Sequence, residues 1–121
     1  MFDIAPNGII NLTRGDTFQM PIIINLGSQL EDNHYTLKDD DMLYFGLCEP
    51  NEPFEKAIVR KVFDKDSPKT ETGDTILTFY TSDTSSLIPG KYYYVIKLRR
   101  ILESMETVDT IVDRTLFYIW E

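Results

Sequence analysis

From Ile9 onward, short runs that are wholly apolar or alternate with period two are broken by glycine, proline, asparagine and aspartate. That period places alternate side chains on opposite faces of a strand, and no stretch repeats at the spacing of an amphipathic helix. Ile9 to Leu12 reads as a short extended piece after the turn signal Asn7-Gly8. Thr17 to Asn25 (TFQMPIIIN) is rich in β-formers, but Pro21 cannot donate to a ladder, so this strand belongs at an edge or carries a bulge. Leu26 to Asp41 is polar, with Tyr35-Thr36-Leu37 as its one candidate for brief pairing. Met42 to Glu49 is apolar on both faces, as a central strand is. Lys56 to Phe63 alternates, Asp64 to Asp74 is a charged loop, and Thr75 to Tyr80 is the next strand. Thr81 to Gly90 is a turn region with room for one helical turn, and Lys91 to Ile101 and Thr107 to Trp120 complete the pattern.

About seven strands separated by turn signals predict an all-β fold, a two-layer antiparallel β-sandwich of immunoglobulin-like type. With neither repeats nor linkers, residues 1–121 read as a single domain. Pro6 and Asn7-Gly8 fit an extended N-terminal arm over residues 1–11.

The most informative stretch is Leu87-Ile88-Pro89-Gly90-Lys91-Tyr92-Tyr93-Tyr94. Pro89-Gly90 makes a tight turn, because proline presets one dihedral and glycine accepts a positive one. Tyr92, Tyr94, Ile96 and Leu98 then share the inward face of the next strand. A tyrosine in the place of Tyr92 buries its ring and returns its hydroxyl to the backbone, forming a tyrosine corner. Tyr93 and Val95 fall on the opposite face, and Tyr118 and Trp120 form a like surplus on the last strand. A sandwich layer has one inner face, so these four residues are the candidate interface.

Charge narrows the partners. Twelve basic against twenty acidic residues leave −8 at neutral pH, whereas a nucleic-acid binder needs a basic face. Nucleic acid is therefore not an expected partner, and no apolar stretch is long enough for membrane insertion. A basic start with a following apolar stretch is absent from the first residues, which predicts a chain made in the cytoplasm.

Candidate chemistry is sparse. Cys48 is the single cysteine and sits in an apolar run, as a buried structural thiol does; His34 is the single histidine, a base only with a nucleophile beside it, for which Cys48 is the one obvious candidate. Arg14-Gly15-Asp16 matches an adhesion tripeptide, but it also makes a tight turn into the strand beginning at Thr17. Asn11-Leu12-Thr13 matches a glycosylation acceptor, which matters only in a secreted protein. Asp39-Asp40-Asp41 and the Asp64/Asp66 pair lack the spacing of a calcium loop. No catalytic residue, cofactor or metal site is expected, and the chain reads as a non-enzyme.

Three segments together carry a resemblance: Thr13-Arg14-Gly15-Asp16-Thr17-Phe18, Leu87-x-Pro89-Gly90-x-Tyr92-x-Tyr94, and Thr115-Leu116-Phe117-Tyr118-Ile119. They resemble the immunoglobulin-like N-terminal domains of phage baseplate upper proteins and related small virion structural proteins. The resemblance covers most of the chain from about Ile10, on short motifs. It implies a virion component, made in the host cytoplasm, that docks on other virion proteins or on itself in a tail, baseplate, neck or head-attached position. Arg14, Gly15, Asp16, Pro89, Gly90 and Tyr92 would then be structural turn residues. The alternative is a carbohydrate- or host-surface-binding module, which calls for exposed, coplanar aromatics near loops. A small hydrolase is the third reading, and the sequence names no acid or base for it.

Overall fold

The computed structural model describes residues 1–26 and 34–121. Ten strands are described: β1 (Phe2–Ile4), β2 (Ile10–Thr13), β3 (Phe18–Ile22), β4 (Ile24–Asn25), β5 (His34–Tyr35), β6 (Met42–Cys48), β7 (Val59–Phe63), β8 (Thr75–Phe79), β9 (Gly90–Leu102) and β10 (Met105–Trp120). A 3₁₀ turn covers Phe54–Lys56, and one helical turn, α1, covers Thr81–Thr84. The chain is thus predominantly β, as the period-two pattern requires. The part of the expected polar loop at 27–33 lies outside the described residues.

Six strands form one sheet in the order β1-β2-β10-β9-β6-β7, and β3 pairs with β8 and β4 with β5. The expected strand Thr17 to Asn25 is divided at Ile23, which is exposed between β3 and β4. Pro21 lies in β3, whose one strand partner among the described residues is β8, so proline occupies an edge. β6 lies between β9 and β7 and is buried on both faces over most of its length.

Two expectations need correction. Pairing is not wholly antiparallel: β2 runs parallel to β10, with Ile10 to Thr13 beside Phe117 to Trp120. These strands come from opposite ends of the sequence, so no hairpin dictates their direction. Nor do residues 1–11 reach out as an arm. Phe2–Ile4 turns back through Asn7-Gly8 onto β2, where the Gly8 N–H donates to the Ala5 carbonyl at 2.8 Å. Tyr94, deep in β9, donates its hydroxyl to the Gly8 carbonyl at 2.5 Å and anchors that turn.

One core joins the six-stranded sheet to the β3–β8 pair. Phe18 and Phe79 meet Phe117 at ring distances of 6.2 and 5.4 Å, and Phe45 meets Phe79 edge-on at 5.4 Å. Phe2 stacks on Phe18 at 4.2 Å, which gives the N-terminal strand a reason to fold inward. Each such aromatic pair adds about 0.5–1.5 kcal/mol beyond its buried area.

Candidate interaction surface

Two turns set the ends of the long strands. At the first, the Asp16 N–H donates to the Thr13 carbonyl at 3.0 Å, and Gly15 takes the positive φ of +83° that the bend needs. The Arg14 N–H donates to the Trp120 carbonyl at 2.7 Å, and the Gly15 N–H to Thr84 Oγ1 at 2.8 Å. Arg14-Gly15-Asp16 therefore links the end of β10 to α1. At the second turn, Pro89-Gly90 opens β9, and the buried Tyr92 donates its hydroxyl to the Ile88 carbonyl at 2.5 Å. Burial raises the Tyr92 phenol above its ordinary pKa and keeps it a donor.

The four candidate interface residues meet different fates. Val95 is 6% exposed and is not available to a partner. It pairs with Gly46 of β6, and the Phe54 ring lies where a side chain at Gly46 would go: a Cβ there would stand 2.7 Å from Phe54 Cε2. The 49–57 segment thus folds back over the outer face. Arg114 fastens it, donating from Nη1 to the Glu52 carbonyl at 2.9 Å while its guanidinium sits 5.0 Å from the Tyr93 ring centre. Tyr93 is half-buried under that contact. Strand alternation foretold which face Val95 occupies, but not that the chain covers this face itself.

Tyr118 and Trp120 stay nearer to solvent, Trp120 at 45% exposure. Their rings lie 4.2 Å apart, tilted by 41°, and Trp120 Nε1 donates to Asn11 Oδ1 at 3.0 Å across the parallel β2–β10 seam. This pair offers no flat platform of coplanar rings.

A second surface lies at the other end of β10. Met42 with Arg99 is the last β6–β9 pair; beyond it β9 has β10 as its one strand partner among the described residues. The two strands continue to a two-residue loop, Glu103-Ser104, with φ of +52° and +64°. Both values are positive, as a type I′ hairpin turn requires, although neither residue is the usual glycine or asparagine. Ile101, Leu102, Met105 and Val108 are all exposed on this hairpin end, Met105 at 69% and Val108 at 56%. The sequence signal was an apolar residue on each face where no core remains to receive it.

The titratable groups inside the fold are occupied by structure. His34 Nε2 lies 2.5 Å from Asp74 Oδ1, and Thr72 Oγ1 donates to the same carboxylate at 2.8 Å. These bonds, Thr72 first, hold the Asp74 carboxyl below its ordinary pKa. Burial pushes the Cys48 thiol up, and the charges that act on it are Arg114, Arg60 and Glu55. His34 and Cys48 each have their own surroundings and do not form a pair. Asp41 is buried, accepting from the Tyr35 hydroxyl and from the Lys38 N–H. Asp39 pairs with Lys65, and Asp64 Oδ1 caps the N–H of Asp66. Comparison with protein-family models, with curated proteins and with solved structures gave no match.

Proposed function

We propose that this chain is a non-enzymatic structural component of a phage virion, in a tail, baseplate, neck or head-attached position, that assembles through protein–protein contacts. The observation that carries the assembly reading is the hairpin end of β9 and β10. Four large apolar side chains stand there in water: Ile101, Leu102 and Met105 past the last β6–β9 pair, and Val108 level with it. Exposed aliphatic residues grouped at one end of a hairpin, where they add nothing to the core, favour a partner surface.

Support for an immunoglobulin-like sandwich comes from strand order. In the letters of that fold, β10-β9-β6-β7 follows the order G-F-C-C′, and β3 with β8 matches the pair B-E. The Tyr92–Ile88 bond falls at the start of the strand matching F, where a tyrosine corner belongs. The virion reading rests on the resemblance of the Arg14-Gly15-Asp16 turn, the Pro89-Gly90 corner and the closing strand to small virion proteins. Catalysis finds no support in the buried carboxylates, which are bonded to Tyr35, His34 and Thr72.

An antiserum against the chain, applied to density-gradient fractions of a lysate from its source, tests this reading. The protein should sediment with large particles after nuclease treatment. Recovery in the light fractions alone would overturn it.

A further inference from the structure

The sheet leaves several strand edges open, and they are not equally guarded. β3 carries Pro21, which cannot donate. β7 turns Lys61 inward, where it binds Asp83 at 2.7 Å with both side chains largely buried. An inward charge on an edge strand discourages another strand from joining. β10 is different, because β2 covers only Phe117 to Trp120. Among the described residues no strand pairs with β10 on that side from Met105 to Leu116. Register shifts between Thr110 and Thr115 bend the later part. The run Met105 to Thr110 has regular register with β9 and carries neither proline, bulge nor lysine.

We propose that this edge pairs antiparallel with the same strand of a second copy across a two-fold axis centred on Val108. The proposal rests on the assembly reading above and names the partner of that surface. Symmetry restricts the choice, since in a two-fold antiparallel pair one residue must face its own copy. Centring on Glu106 or on Asp109 sets identical acids opposite each other, which destabilises a sheet. A centre at Thr107 sets Glu106 against Val108 and Met105 against Asp109, opposing charge to apolar surface. At Val108 the pairs within the regular run are matched, Val108 with itself, Thr107 with Asp109 and Glu106 with Thr110, while Met105 falls opposite Ile111 where the register shifts. The exposed Val108 and Met105 would then gain apolar partners, and the open edge would gain a ladder of backbone hydrogen bonds.

Light scattering on the purified chain, from micromolar to millimolar, should give twice the 14.1 kDa chain mass. Val108→Lys should return it to a monomer with unchanged circular dichroism. Under oxidation Val108→Cys should form a covalent dimer, while Val62→Cys, equally exposed on the β7 edge, should not. Cys48 is fully buried and does not compete. A monomer at every concentration would overturn the proposal, and so would a dimer that Val108→Lys leaves intact and Val108→Cys does not capture. A monomer that still sediments with particles would overturn self-pairing and leave the assembly reading standing. A Val108-centred dimer absent from particles would do the reverse.

Discussion

The Phe54 ring fills the space above Gly46 that any β-carbon would enter, with Cδ2 and Cε2 within 3 Å of that position. Glycine in a central strand weakens pairing by itself, so its presence in β6 marks a close approach. Here the approaching group is the chain's own 3₁₀ turn, and the outer face around Gly46 and Val95 is covered from within. Gly46→Ala must therefore displace Phe54 or shift β6. We expect a loss of about 1–3 kcal/mol, the usual range for overpacking, read from urea midpoints. The bond network of the core should be unchanged, since Gly46 faces away from it.

Arg114 acts on the same cover from the other side. Arg114→Ala removes the bond to Glu52 and the stacking on Tyr93, an interaction of about 0.5–1 kcal/mol at an exposed site. Hydrogen exchange should quicken over residues 50–57 and in Tyr93 while the β3–β8 pair keeps its protection. Equal protection in the variant would mean that Arg114 does not fasten the segment.

Tyr92→Phe removes one hydrogen bond and little volume. Its acceptor belongs to Ile88, an exposed residue whose carbonyl water can serve in the variant. The expected loss is therefore about 1 kcal/mol, and not the larger penalty of an orphaned buried group. Thermal unfolding of the two proteins side by side measures it.

Tyr35 gives a prediction in alkali. Burial and its bond to Asp41 push the phenol up to about 12 in the folded chain. An unfolded tyrosine ionises near pH ~10. A group with a raised folded pKa contributes stability that is whole below the unfolded value and is lost as pH rises through the folded one. Stability should thus fall between about pH 10 and 12, and Tyr35→Phe should flatten that slope. Urea midpoints across the window, with phenolate absorbance as a second readout, check both the sign and the position. For Asp74 the direction reverses. Its lowered pKa predicts stability lost as acid protonates it, below the ordinary carboxylate range, and Asp74→Asn should remove that loss.

Much of this architecture was legible because the signals are local. An apolar run marked the central strand Met42–Cys48, alternation marked Val59–Phe63, Pro21 marked an edge, and Pro89-Gly90 before Tyr92 marked the corner. Contacts between distant segments left no such mark. Val95 looked free because Phe54 lies 41 residues before it in the chain, and nothing near Val95 encodes that cover. Phe2–Ile4 reads as an arm until Phe18 is seen beneath its first ring. The parallel seam of β2 with β10 joins the two ends of the chain, and no turn residue announces it. The hairpin end is hidden in the sequence for a different reason. Glu103-Ser104 lacks the asparagine or glycine that usually signals a type I′ turn, so nothing local announces that the two strands meet there.

We propose that the hairpin end serves assembly and not folding. A combined variant, Ile101→Ser, Leu102→Ser, Met105→Ser and Val108→Thr, tests it most directly, because all four side chains are exposed. Its urea midpoint and its incorporation into particles should be measured together, in the presence of wild-type partners. The expected result is a midpoint close to wild type with incorporation lost. Incorporation equal to wild type in a folded variant would contradict it.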